Sequence, residues 1–117
     1  MSDSELAATA QALVAPGKGI LAADESSGTI KKRFDSIDVE STEDNRRDYR
    51  EMLFRAEGAG DFISGVILYD ETIRQDSADG TPFPKLLESQ GVIPGIKVDL
   101  GAKDLANAPG VVISICR

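Results

Sequence analysis

Residues 17–33, with the sequence GKGILAADESSGTIKKR, constrain the fold of this chain more than any other stretch. Residues 19–22 are small or apolar and begin with a glycine, which is typical of a short, fully buried strand in a parallel sheet. Apolar side chains then recur at the helical spacing i, i+4, i+7, namely Ile30, Phe34 and Ile37. The stretch therefore predicts a strand that turns directly into a helix.

Polar side chains occupy the turn between this strand and this helix. Asp24 and Glu25 follow the strand, and Ser26 and Thr29 place hydroxyls at the helix start. The unpaired N–H groups and the dipole of a helix N-terminus attract anions, and Arg33 lies one turn further on roughly the same face. The chemistry predicts an anion site beside a carboxylate. The alternative is that Ser26 only caps the helix and Asp24 only shapes the turn.

Helix and strand patterns alternate along the rest of the chain. Ser2 and Glu5 form a capping box ahead of a first helix that ends at residues 15–17. Four further elements are predicted: a helix that begins at residues 41–44, a strand at 63–68, a short helix at 82–89 and a strand at 92–98. Because Pro94 and Gly95 weaken the last strand, its paired part is expected at 96–98. This alternation predicts an α/β fold with a parallel sheet.

Two groups of basic residues have competing interpretations. Arg46, Arg47 and Arg50 alternate with acidic residues on the predicted helix, which is typical of a solvated, salt-bridged face. Lys97 lies inside an apolar strand, where it must reach the sheet edge or pair with an anion because burying it alone is costly. It is a candidate ligand for an anion at the carboxyl end of the sheet, or otherwise a lysine at the rim.

Composition excludes several classes of function. The 117 residues carry a net charge of −7, which argues against nucleic-acid and anionic-membrane partners. With no histidine and one cysteine, Cys116, neither a metal site nor a disulfide framework is expected. The first residues, MSDSELAATAQ, do not resemble a targeting segment, and no apolar run approaches a membrane span. A cytoplasmic protein without a cofactor is predicted.

Five motifs in this order carry a resemblance to a known family: LAADES, NRRDYRE, SGVIL, ADGTPFPKLLESQG and GIKVD. Together they closely resemble the N-terminal third of class I fructose-1,6-bisphosphate aldolase, over roughly residues 5–106. The resemblance implies the first three β/α units of a TIM (β/α)8 barrel, preceded by a helix and forming an incomplete barrel. Residues 1–106 would be this N-terminal part, and residues 107–117 would be a divergent tail.

The resemblance also implies a reaction and a set of site residues. Enzymes of this family reversibly cleave fructose 1,6-bisphosphate to dihydroxyacetone phosphate and glyceraldehyde 3-phosphate through a Schiff base, without a cofactor. The Schiff-base lysine and the acid/base glutamate lie on later strands that this chain does not reach. By resemblance Asp24 is catalytic, and five residues bind substrate phosphate: Ser26, Thr29, Arg33, Arg46 and Lys97.

Two functional hypotheses follow from the resemblance. The chain is part of a glycolytic and gluconeogenic aldolase that takes sugar phosphates, in a family that is typically homo-oligomeric. Alternatively, the polypeptide by itself is a catalytically dead fragment that at most binds sugar phosphate, associates with itself or contacts another subunit.

Overall fold

The computed structural model describes residues 1–116 and contains two separate sheets. Strands β1 (Gly19–Ala23), β2 (Ile63–Leu68) and β3 (Ile93–Ile96) pair in parallel in the order β1-β2-β3. Strands β4 (Asp99–Asp104) and β5 (Val112–Cys116) form an antiparallel hairpin. The predicted α/β class with a parallel sheet is confirmed.

Residues 1–116 contain six helices, of which the first precedes β1 and the other five connect the parallel strands: α1 (Asp3–Leu13), α2 (Ser27–Asp35), α3 (Glu43–Phe54), α4 (Ala59–Phe62), α5 (Asp70–Ile73) and α6 (Phe83–Ser89). The three longest begin where the sequence predicts, because Ser2, Ser26 and Thr42 each accept a hydrogen bond from a main-chain N–H of the first turn. The predicted capping box of Ser2 and Glu5 is present. None of the helices in residues 1–116 is long and apolar enough to cross a membrane.

The core lies between the sheet and the helices α3 and α6. Its buried apolar residues are Ala23, Phe54, Val66, Leu68, Phe83, Leu86, Leu87 and Val92. The rings of Phe54 and Phe83 meet edge to face with their centroids 5.2 Å apart. This packing holds α3 and α6 against the sheet and so fixes the carboxyl ends of the strands relative to the helix starts.

The third parallel strand differs from the prediction. It covers Ile93–Ile96 rather than residues 96–98, and Pro94 pairs with Val66 inside it. The strand is the last in the order β1-β2-β3, and an edge strand tolerates proline because one of its sides needs no ladder partner. Consequently Lys97 lies just beyond the strand, not within it.

The β4–β5 hairpin was not predicted, because no alternating pattern marks these strands. It turns through Asn107 and Gly110, which have φ values of 60° and 80°, and every residue of β5 is exposed. The predicted boundary between residues 106 and 107 falls in this turn and stays a prediction. Within the predicted tail, Arg117 lies outside the described residues.

Candidate functional site

The residues that directly follow the three parallel strands converge on one cleft. Asp24 follows β1, Tyr69 follows β2 and Lys97 follows β3. They converge because Ala23 pairs with Leu68 and Leu68 pairs with Ile96, so the strands end level with one another. The cleft has a volume of about 540 Å³. It is lined by Asp24, Glu25, Ser26, Thr29, Tyr69, Lys97, Asp99, Leu100 and Gly101.

Lys97 is held between two carboxylates at this edge. Its ammonium Nζ lies 3.1 Å from Asp24 Oδ2 and 2.6 Å from Asp99 Oδ1, and its main-chain N–H donates to the Leu68 carbonyl oxygen at 2.9 Å. The hydrogen bonds to Asp99 and then to Asp24 raise the pKa of Lys97, and the same ammonium lowers the pKa of Asp99. The lysine is therefore charged at neutral pH. Its side chain is 26% exposed, on the side of the cleft.

Ser26 and Thr29 lie at the N-terminus of α2, on the wall of the cleft. Ser26 Oγ accepts from the Thr29 main-chain N–H at 3.4 Å and lies 3.2 Å from Thr29 Oγ1. Ser26 therefore caps α2 and also lines the cleft. A hydroxyl both donates and accepts, so each side chain keeps capacity for a further hydrogen bond.

Two of the predicted phosphate ligands do not line the cleft. Arg33 Nη1 donates to the Tyr49 hydroxyl at 3.2 Å and to Glu25 Oε1 at 2.6 Å, and these two bonds, in that order, raise the pKa of Arg33. Arg46 forms a two-point pair with the Glu71 carboxylate at 2.7 Å, which lowers the pKa of Glu71. Both guanidiniums are therefore engaged by carboxylates beside the cleft.

Arg50 is the clearest residue that the sequence interpretation placed wrongly. It is 2% exposed instead of solvated. Its Nε donates to the Ala23 carbonyl at 3.0 Å and its Nη2 donates to the Glu25 carbonyl at 2.7 Å. Burial lowers its pKa, which the nearby Glu25 carboxylate opposes. Its spacing of four residues from the buried Phe54 was the available signal, because i and i+4 share a helix face.

Tyr69 and Asp99 line the cleft without having been singled out from the sequence. The position of Tyr69 directly after a predicted buried strand was a usable signal, because side chains at the carboxyl ends of parallel strands meet at one edge. Asp99 had no such signal, since it belongs to the unpredicted hairpin. In the part of the chain that the structure describes, no three histidine, cysteine or carboxylate side chains are grouped as metal ligands would be.

The fold and this cleft define an α/β protein with a charged site at the carboxyl edge of a parallel sheet. The family described as fructose-bisphosphate aldolase class-I matches residues 5–114. The chain belongs to this family.

Individual relatives agree with the family match. A probable fructose-bisphosphate aldolase class 1 of Xanthomonas campestris pv. campestris is 57% identical over 114 residues, which are 97% of this chain and 34% of the relative. Fructose-bisphosphate aldolase 1 of Toxoplasma gondii is 60% identical over 101 residues, covering 86% of this chain and 28% of the relative. The chain thus spans about a third of the length of these relatives.

A solved structure shares the fold. It is a ternary co-crystal structure of fructose-bisphosphate aldolase from Plasmodium falciparum in complex with TRAP and a small-molecule inhibitor. It matches with a TM-score of 0.88 and 50% identity, over 97% of this chain and 33% of that chain. The likeness therefore extends over both the parallel sheet and the hairpin.

Proposed function

We propose that this chain forms the N-terminal part of a class I aldolase that cleaves fructose 1,6-bisphosphate, and that its cleft holds one phosphate end of the sugar. The observation that carries the proposal is the contact between Lys97 Nζ and Asp24 Oδ2 at 3.1 Å, in a cleft that also contains Ser26 and Thr29. An ammonium and two hydroxyls at a helix start supply the charge and hydrogen-bond donors that a phosphate needs.

The three parallel strands with their helices form the first three β/α units of a TIM (β/α)8 barrel in this proposal. Two features support it: the strands follow one another in chain order within the sheet, and the polar cleft lies at their carboxyl ends. The free edges of β1 and β3 are where further strands of a closed barrel would pair.

Four residues of the cleft receive a role in the proposal. Lys97, Ser26 and Thr29 bind the phosphate, and Asp24 acts on a proton at the substrate hydroxyl beside the Schiff-base lysine. That lysine and the acid/base glutamate come from the later strands, and no cofactor takes part. Asp24 suits its role because a carboxylate at a strand end reaches the cleft from a rigid element.

Arg33 and Arg46 enter the proposal through the resemblance. Arg33 is separated from the cleft by Glu25, and Arg46 is held by Glu71. For either guanidinium to bind phosphate, the anion has to replace a carboxylate partner. Arginine is suited to such an exchange because its planar fork binds carboxylate and phosphate in similar two-point geometry.

The partners and location follow from the same proposal. The ligands are sugar phosphates, and the site takes neither nucleic acid nor membrane, in keeping with the net charge of −7. A cytoplasmic location and assembly into homo-oligomers are proposed with the activity. Among the curated relatives is a protein of Arabidopsis thaliana named fructose-bisphosphate aldolase 6, cytosolic, 58% identical over 106 residues.

A chimeric enzyme tests the activity. Residues 5–114 replace the matching segment of the Xanthomonas campestris relative, and cleavage of fructose 1,6-bisphosphate is assayed. The chimera is expected to be active, and its Asp24→Asn variant to lose turnover. A folded chimera without activity would refute the proposal, and an active Asp24→Asn variant would refute the role of Asp24.

The second candidate concerns the 117-residue polypeptide by itself, and it is favoured by the coverage of only a third of the relatives. Alone, this polypeptide is expected neither to cleave the bisphosphate nor to form a Schiff base. Lys97 stays protonated between two carboxylates, whereas an imine-forming lysine needs a lowered pKa. The test is borohydride trapping with dihydroxyacetone phosphate and mass analysis. A stoichiometric adduct on a lysine would contradict it.

A further inference from the structure

The side chain of Arg50 on α3 lies against the turn that carries Asp24. Its two donors, Nε and Nη2, bind the carbonyl oxygens of Ala23 at 3.0 Å and Glu25 at 2.7 Å. These carbonyls belong to the residues on either side of Asp24. A single buried guanidinium therefore bridges the main chain across the residue that presents its carboxylate to Lys97.

This turn has little other support from regular secondary structure. Strand β1 ends at Ala23, where its pairing with Leu68 of β2 also ends, and α2 begins at Ser27. The carbonyls that Arg50 binds therefore lie where the sheet ladder stops and before the helix ladder starts. A buried carbonyl requires a partner, and here the partner comes from a third element of the fold.

The guanidinium is itself held in place. Its Nη2 lies 3.3 Å from Glu25 Oε2, and its Cζ lies 5.7 Å from the centroid of the Tyr49 ring. The other oxygen of the Glu25 carboxylate accepts from Arg33. Because arginine stays protonated in proteins, these contacts form a permanent charged cluster next to the cleft, which Glu25 itself lines.

We infer that Arg50 is a positioning residue that fixes the Asp24 carboxylate beside Lys97 by bridging the main chain on both sides of it. The catalytic meaning of this role rests on the proposed function, whereas the positioning itself is a property of residues 1–116. Arg50 lines no part of the cleft and acts only through Asp24.

The inference predicts that lysine cannot replace arginine at position 50. Arg50→Lys keeps the positive charge and much of the length, but its single nitrogen cannot take the places of both Nε and Nη2. The matched control is Arg47→Lys on the same helix, because Arg47 pairs with Asp44 and Asp48 on the exposed face. Both variants change an arginine of α3, and only one touches the turn.

The first measurement needs no catalysis and uses the whole 117-residue chain. The Lys97 ammonium is titrated by NMR with 13C-labelled lysine and assigned with Lys97→Arg. All variants also carry Asp99→Asn. Of the two carboxylates that pair with Lys97 in the structure, this substitution removes Asp99 and leaves Asp24. Arg50→Lys is expected to lower the pKa of Lys97, and Arg47→Lys to leave it unchanged. An unchanged pKa in folded Arg50→Lys would overturn the inference.

A second measurement decides the question if Arg50→Lys does not fold. In the chain of natural sequence, the Nε–H of Arg50 is expected to exchange with solvent far more slowly than that of Arg47, because it is buried and bonded to the Ala23 carbonyl. Equally fast exchange at both arginines would overturn the inference without any variant.

The third measurement uses the chimeric enzyme. Arg50→Lys is expected to lower kcat by about 100-fold, as a displacement of about 1 Å of a catalytic group does. KM should stay within about twofold, since Arg50 contacts none of the proposed phosphate ligands directly. Arg47→Lys should match the parent. A rise in KM with unchanged kcat would overturn the inference, while an inactive parent chimera would refute the proposed function and leave the NMR result to decide this one.

Discussion

At the scale of single residues, Lys97 connects three parts of the molecule. Its main chain continues the pairing with β2, and its ammonium binds one carboxylate after β1 and one on the hairpin. Because the Lys97 side chain is 26% exposed and both carboxylate side chains are partly exposed, a phosphate can approach the ammonium from the cleft. Under the proposed function, the phosphate takes the place of a carboxylate at this nitrogen.

We expect Lys97→Ala in the chimeric enzyme to weaken binding of fructose 1,6-bisphosphate by about 10- to 150-fold, which corresponds to about 1.5–3 kcal/mol for a hydrogen bond to a charged group. Binding of unphosphorylated fructose should change much less. Arg33→Ala should act in the same direction. The measurement is KM and inhibition by each ligand, with Lys103→Ala, an exposed lysine of β4, as the control. Equal losses for both sugars would contradict the phosphate role of Lys97.

Sequence patterns identified four cleft residues and misplaced one structural residue. Asp24, Ser26, Thr29 and Lys97 were identifiable because a strand end and a helix start each have local signals. Arg50 was not, because charge alternation along α3 outweighed its spacing from Phe54. Local patterns cannot show that a helix face meets the main chain of a distant turn, since that depends on the packing of α3 against β1.

At the scale of elements, the packing of α1 against β2 depends on Gly65, which has no side chain. A Cβ atom at Gly65 would lie 2.5 Å from Leu13 Cδ2 and 3.2 Å from the Ile93 carbonyl oxygen. The neighbouring Ser64 hydroxyl donates to the Leu13 carbonyl at 2.6 Å. The end of α1 therefore packs on the middle strand β2 at Gly65, where only a glycine leaves room for the Leu13 side chain.

We expect Gly65→Ala to destabilise the fold by about 1–3 kcal/mol, the usual cost of overpacking. Leu13→Ala in the same chain should recover part of that loss, because the leucine is the nearer and more flexible neighbour. Denaturant unfolding at low protein concentration measures both, with Gly19→Ala as the control since no atom lies within 4 Å of its Cβ position. Additive effects of the two changes would show that α1 does not seat there.

The elements themselves were predictable to different degrees. The strand Ile63–Leu68 and the helices with hydroxyl caps were correct because their signals are local. The predicted paired part of β3, residues 96–98, was wrong because a proline rule that holds for central strands was applied to an edge strand. The hairpin was missed because its pairing joins segments without alternating polarity.

At the scale of the whole molecule, the chain is flatter than a compact domain. Its radius of gyration is 16.4 Å, against about 13.4 Å for a globular domain of 117 residues. Its extents are 50 × 46 × 25 Å. Large apolar side chains are exposed on the hairpin, among them Val112, Ile113 and Ile115, and the outer edges of β1 and β3 are unpaired within the described sheet.

We expect the 117-residue polypeptide to associate with itself as its concentration rises, because unpaired strand edges and exposed apolar side chains form contacts between copies. Sedimentation velocity over a range of concentrations measures this association. Replacing Ile113 by lysine on the hairpin should weaken it, whereas Lys85→Arg on the exposed face of α6 should not. A monomer at all concentrations with a sharp two-state unfolding transition would contradict the expectation.

The double pairing of Lys97 has a thermodynamic consequence for the hairpin. Asp99 stands at the first position of β4, so its ion pair with Lys97 at 2.6 Å fastens the base of the hairpin to the end of the parallel sheet. An anion that displaces Asp99 from the Lys97 ammonium weakens the attachment of the hairpin. By linkage, attachment of the hairpin lowers the affinity for the anion by the same factor. The anion and Asp99 then compete for the same ammonium, so the affinity for the ligand and the mobility of the hairpin change together.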